Sequence, residues 1–259
     1  HACYCHTPLR YIWDLKDDYR RRIPWPIRPL WDLQATALRA WDRSTVQGVD
    51  LFMANSINVQ KRIWANYHRE SIVVYPPVHT DFFVLDPEIP REDYFVYVGH
   101  LSSYKRPYDL LSLASSGFFP LKVAGTGAGM SRLVRAAQGL PIEFLGRVDD
   151  EEVRRLLQGA RGLLFPGEED FGMVPVEAMA CGTPVIALDA GGAMETVIPG
   201  FTGARYRTGE FDDAFGQFLE MEPDFQESEI RKSAERFGRD RFRNEFLETI
   251  TRESGLDLS

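Results

Sequence analysis

Glu169-Asp170-Phe171-Gly172-Met173-Val174-Pro175-Val176-Glu177, with Cys181-Gly182-Thr183-Pro184-Val185-Ile186 just downstream, is the stretch on which the fold turns. An apolar run at residues 162–165 ends shortly before it, so Glu169 falls on a loop beyond a strand. A Phe-Gly turn leads into an apolar helix over 174–180 that carries Glu177, and a second apolar run follows at 184–188. Strand, acid-bearing loop, acid-bearing helix and strand describe one unit of a parallel sheet, where ligands bind beyond the carboxyl ends of strands.

The same alternation extends outward on both sides. Further apolar runs occupy residues 94–98, 121–124, 142–145 and, more weakly, 203–206. Each is near-continuous rather than alternating, as expected of parallel strands covered on both faces. Helical patterns lie between them at 107–115, 129–137, 149–158 and 193–197. Asp149 to Glu152 place acids where a helix's first turn favours them. The fold class expected is α/β, a doubly wound parallel sheet. The first 85 residues predict less: strands at 2–5, 51–54 and 72–75, helices near 9–19 and 31–46, and a third helix capped by Ser56. Pro76-Pro77 stops pairing, and the proline-bearing stretch 85–91 reads as a linker. The tail, 228–252, reads as two helices broken near Gly238.

Bulk properties narrow the function classes. A chain of 259 residues, 44% hydrophobic and 26% charged, can bury one or two cores. Its apolar runs are far short of the ~20 residues that span a bilayer. The chain opens on His1 without a basic segment leading into an apolar core, so no signal peptide is expected, and a piece of a longer protein is. Residues 1–45 hold eight Lys/Arg against five Asp/Glu, a net +3, which leaves −11 of the total −8 to the remainder. That acidic body argues against nucleic acid as a partner. The basic start mixes Arg20-Arg21-Arg22, Trp25, Arg28 and Trp31. Two readings stand side by side for it: peripheral contact with a membrane surface, or a solvated charged turn ahead of a packed helix. Three cysteines, Cys3, Cys5 and Cys181, make no disulfide framework and fit a reducing compartment. Cys3, Cys5 and the neighbouring histidines would alternate faces of one short strand, so a strand is favoured over a metal site.

The quoted segment resembles the E-x7-E element of retaining glycosyltransferases with the two-lobed GT-B fold, family four, also called group 1. The likeness includes Phe171-Gly172, Pro175, Glu177-Ala-Met-Ala180 and Gly182-Thr-Pro-Val185, and runs from His6 to Ala234-Glu-Arg-Phe237. It implies a nucleotide-diphosphate-sugar donor, a glycan or lipid-linked acceptor, no cofactor, and no metal requirement. No Asp-x-Asp pair occurs that would bridge a metal to a diphosphate. Cations and backbone amides must then stabilise the leaving group. The domains expected are a C-terminal remnant of the acceptor lobe (1–85), a donor lobe (86–227), and C-terminal helices crossing back (228–259). Much of the family's first lobe, with its glycine-rich acceptor loop, has no counterpart here.

The resemblance carries roles to particular residues. Lys105 follows the 94–98 strand at a helix start, a place suited to phosphate, and matches the position that contacts the diphosphate. Where the family usually has an arginine, this chain has His100, a titratable replacement; either phosphate binding is weaker here or Arg106 partly compensates. Glu169 would position the sugar, and Glu177 would accept hydrogen bonds from the ribose hydroxyls. The amides of Phe171, Gly172, Met173 and Val174 would face sugar or phosphate. Gly125 would line the donor site, and Val148 belongs to the segment receiving the base. Asp189-Ala-Gly191-Gly192 reads as a turn and helix start explained by glycine flexibility. His6, in Cys5-His-Thr-Pro-Leu-Arg-Tyr-Ile-Trp-Asp14, matches a motif of mannosyltransferases of polysaccharide assembly and would lie near the sugar and its diphosphate. Arg10 and Tyr11 read equally as scaffold. That motif points to GDP-mannose ahead of a UDP-sugar, while the lipid-linked acceptors usual in the family imply a cytoplasmic enzyme loosely held at the inner face of the membrane. The alternatives are an inactive nucleotide-diphosphate-binding module and a GT-B sugar-nucleotide epimerase, whose constellation of bases is not found.

Overall fold

A computed structural model describes residues 1–115 and 119–255. It divides into two compact units, residues 1–76 with 244–259 and residues 77–243.

In the first unit, β1 (Ala2–Cys5), β2 (Leu51–Ala54) and β3 (Ile72–Val73) form a parallel sheet in that order. Its helices are α1 (Lys16–Arg22), α2 (Arg28–Val46) and α3 (Ile57–Tyr67). Val46, Val49, Phe52, Ala54, Val59 and Ile63 make its small core. Ser56 caps α3 as expected, its hydroxyl accepting from the Val59 N–H at 3.0 Å. The helix expected near 9–19 is displaced. Residues 10–15 form turns, and α1 begins only at Lys16. Tertiary contacts explain this. The Ile12 carbonyl, which a helix would offer to residue 16, accepts from Arg39 Nε at 2.6 Å. The Trp13 indole donates to Asp42 at 2.7 Å, and Asp14 pairs with Arg62 at 3.2 Å. Helix α2 starts at Arg28, three residues earlier than expected, because Pro29 is tolerated in a first turn whose N–H groups need no helical partner.

The second unit is a six-stranded parallel sheet. Its strands are β4 (Phe95–Val98), β5 (Leu121–Ala124), β6 (Ile142–Gly146), β7 (Gly162–Phe165), β8 (Val185–Leu188) and β9 (Gly203–Tyr206). Helices α4 (Asp109–Ser115), α5 (Met130–Ala136), α6 (Asp150–Gly159), α7 (Met173–Ala180), α8 (Ala193–Thr196), α9 (Phe211–Met221) and α10 (Glu227–Glu235) alternate with or follow them. A last helix, α11 (Arg239–Ser254), crosses the division between the units at residue 244.

The spatial order is β6-β5-β4-β7-β8-β9. The chain thus builds outward from β4 in one direction, then returns to start again at β7 on its other side. Strand order reverses between β4 and β7, and the loops leaving these two strands flank the crevice where such sheets bind ligands. Phe95, Phe215 and Phe218 cluster in the core beneath. Asp149 caps α6, accepting from the Glu152 N–H at 2.9 Å. The 85–91 stretch is tied into this unit. The Arg91 guanidinium donates to the carbonyls of Leu157, Gln158, Ala160 and Cys181 and meets Glu227 at 2.8 Å.

Candidate active site

The two loops at the crevice bring together residues 64 positions apart in sequence. Lys105, on the loop after β4, places its Nζ 2.6 Å from Oε1 of Glu169, on the loop after β7. The pair is mostly shielded from water, with 16% and 22% of the side chains exposed. Tyr97, on β4, lies close by: burial and the Glu169 charge both push its phenol upward. Its hydroxyl donates to the His100 carbonyl at 3.3 Å. The His100 side chain is exposed.

Arg106 sits beside Lys105 in sequence but is engaged elsewhere. Its guanidinium meets Asp109 at 2.8 Å and donates to Thr208 at 2.8 Å. Its φ of 50° is unusual for a side-chain-bearing residue. Compensation for His100 by Arg106 would therefore require leaving an ion pair.

Gly172 is the N-cap of α7, with φ 82°, a conformation a side chain would strain. Gly172 has no side chain with which to cap the helix, whose first turn carries the amides of Met173 and Val174. The Phe171 ring is buried against Phe237, with ring centres 5.4 Å apart. Only the main chain of Phe171 is therefore suited to a donor. Glu177, in the second turn of α7, is half-buried. Burial first, then the Asp150 and Glu169 carboxylates, push it from 4.5 up to about 7. Gly125 follows β5 and donates to the Gly146 carbonyl at 2.7 Å, joining the loop after β5 to the last residue of β6. Val148 lies half-buried on the loop after β6.

His6 belongs to the first unit. It is exposed just beyond β1, and its ring meets Tyr4 edge-on at 5.3 Å.

Gly191 and Gly192 do more than turn the chain. The Gly192 N–H donates to the Glu169 carbonyl at 2.9 Å. A Cβ on Gly191 would overlap that carbonyl, and one on Gly192 would overlap the Phe171 main chain. The loop after β8 thus presses backbone against backbone and holds the Glu169 loop in place. The signal was a glycine pair between a strand and a helix, but its partners, Glu169 and Phe171, lie more than twenty residues upstream.

Residues 85–240 match the family model described as glycosyl transferases group 1. The chain belongs to this family. It is 32% identical over 174 residues to D-inositol 3-phosphate glycosyltransferase of Mycolicibacterium smegmatis, covering 58% of this chain and 40% of that protein. It is 38% identical over 122 residues to GDP-mannose-dependent alpha-(1-6)-phosphatidylinositol dimannoside mannosyltransferase of Mycobacterium tuberculosis, covering 44% of this chain and 32% of the relative. The chain thus spans less than half the length of either protein. Among solved structures, it is similar to Anabaena HepE in complex with UDP-glucose, with a TM-score of 0.72 and 23% identity over 84% of this chain and 67% of that one. The lipopolysaccharide outer core galactosyltransferase WaaB is similar at a TM-score of 0.66 and 24% identity, over 80% and 63% of the two chains. These likenesses show a fold of the GT-B type for this group 1 member, as the E-x7-E segment led us to expect.

Proposed function

We propose that this chain supplies the donor-binding part of a retaining, metal-independent glycosyltransferase acting on a nucleotide-diphosphate sugar. The observation that carries the reading is the meeting of Lys105 and Glu169 across the point where strand order reverses. A cation and a carboxylate there suit the two ends of one ligand, a diphosphate and a sugar. Lys105 takes up charge on the departing diphosphate, together with the leading amides of α7. Glu169 accepts hydrogen bonds from sugar hydroxyls, and Glu177 from ribose hydroxyls. The acceptor oxygen attacks the face from which the nucleotide leaves, and the leaving diphosphate helps remove its proton. His6 is assigned to the sugar–diphosphate region by its motif alone.

GDP-mannose is the first donor to test, supported by the His6 motif and by the mycobacterial relative named GDP-mannose-dependent. The UDP-glucose held by Anabaena HepE supports a UDP-sugar instead. The acceptor proposed is a glycan or lipid-linked sugar. Among the described residues no helix is long and apolar enough to cross a membrane. A cytoplasmic location with peripheral contact is the proposal, supported by exposed Trp25, Ile27, Leu30 and Leu33 beside the Arg20–Arg22 run. The second reading is a nucleotide-binding module without turnover.

Calorimetric titration with GDP, UDP and ADP in EDTA tests both. Selective binding of one diphosphate without metal is expected; binding of none, or only with added manganese, sinks the donor-lobe reading. Transfer from the matching nucleotide-sugar then separates enzyme from module.

A further inference from the structure

We infer that the Lys105–Glu169 ion pair makes this site select the intact nucleotide-sugar over the bare nucleoside diphosphate left after transfer. The inference rests on the donor-binding reading above and concerns the same site.

The Lys105 ammonium lies 2.6 Å from Glu169 Oε1, an oxygen shut off from water, so the carboxylate relies on that lysine for charge balance and for a donor. Tyr97 is no substitute, since its hydroxyl is turned to the His100 carbonyl. A shielded carboxylate oxygen that loses such a partner is costly to leave unsatisfied, and a ligand that brings its own donor relieves that cost.

Two ligands would meet this arrangement differently. A nucleoside diphosphate offers several acceptor oxygens and no sugar hydroxyl near Glu169. It draws Lys105 toward itself, which strips the carboxylate of its counter-charge and sets two anions side by side in a partly dry site. A nucleotide-sugar also draws on Lys105, but its hydroxyls donate to Glu169 and replace what the lysine withdraws. The sugar is then worth more than its own hydrogen bonds, because it cancels a cost that the diphosphate creates. Once the sugar has moved to the acceptor, that cancellation is gone and release of the diphosphate is favoured. The main chain of Glu169 is held by Gly192, so the loop resists moving away to relieve the repulsion.

The test is calorimetry with UDP, GDP and their hexose conjugates on the full chain, the Glu169→Gln variant and the Glu169→Asp variant. Gln keeps the shape and removes the charge; Asp keeps the charge and shortens the reach. The expected result is that Glu169→Gln binds the diphosphate about tenfold more tightly than the unmodified protein, a change of about 1.4 kcal/mol. It should bind the nucleotide-sugar no better, so that selectivity between the two collapses. Glu169→Asp should show no gain for the diphosphate, and unchanged melting of each variant confirms its fold. Equal or weaker diphosphate binding by Glu169→Gln, with the unmodified protein binding normally, overturns the ion-pair inference alone. Absence of diphosphate binding to all three proteins overturns the donor-binding reading and this inference with it.

Discussion

The two units differ in how fully they bury what they fold. In the larger one, β7 and β8 are buried at every residue, and aromatic rings fill the space beneath the sheet. In the smaller one, β1 has no fully buried residue, and α2 leaves Leu30, Leu33 and Trp41 exposed along its length. A strand covered on both faces must be apolar throughout, so its sequence advertises it. A strand or helix covered on one side carries a mixed pattern that many structures satisfy. The difference also separates two uses of apolar residues, as core and as surface.

The sharpest way to break that contrast is to truncate one residue of each kind. Phe218, with none of its surface exposed, packs on Phe95 and Phe225. Phe218→Ala should cost about 3–5 kcal/mol in urea unfolding, through lost burial and the cavity left behind. Leu33, 68% exposed, should cost less than about 0.5 kcal/mol when changed to Ser. Similar losses would show that the α2 face is packed in solution and the contrast false.

Backbone contact around Glu169 sharpens the comparison within the larger unit. Gly192→Ala forces a methyl into the Phe171 main chain and should cost about 1–3 kcal/mol. Transfer should fall further than stability explains, because the Glu169 carbonyl loses its anchor. A variant with wild-type melting and turnover would show that the loop yields freely.

Titration offers a smaller effect. Glu177, held up to about 7, is protonated in much of the free protein below that pH. Ribose hydroxyls donate best to the ionised form, so nucleotide affinity should rise about tenfold between pH 6 and 8 and level off above. Glu177→Gln should flatten this profile; an unchanged profile would remove Glu177 from the ribose site. Stability runs the other way. The folded pKa lies above the ordinary 4.5, so the folded state holds its proton longer, and the stability present below about pH 4.5 is lost as pH rises through about 7.

The smallest effect concerns the exposed face. Trp25→Ser with Leu33→Ser should leave melting within about a degree, given the small cost of exposed substitutions. It should abolish sedimentation with anionic phosphatidylserine vesicles. Retained vesicle binding would assign these residues to a solvated surface.

Much of the larger unit was legible because parallel strands demand near-continuous apolar runs and their ends mark where ligands bind. Residues 169–177 showed two glutamates in a strand–loop–helix frame, and Ser56 and Asp149 announced helix starts through a local hydrogen bond. These are short-range requirements, and a sequence states them directly. The start of α1 was not legible, because Arg39, Asp42 and Arg62 claim the groups of residues 12–14 from distant helices. Nor was the pairing of Lys105 with Glu169, the reach of Arg106 to Thr208, or the use of Gly192 as a clamp. Each depends on which loops the sheet brings together. The sequence by itself determined the strands, the chemistry-bearing residues and the family. Only the tertiary structure decided which charges face one another, because proximity across a sheet is set by strand order and not by spacing along the chain.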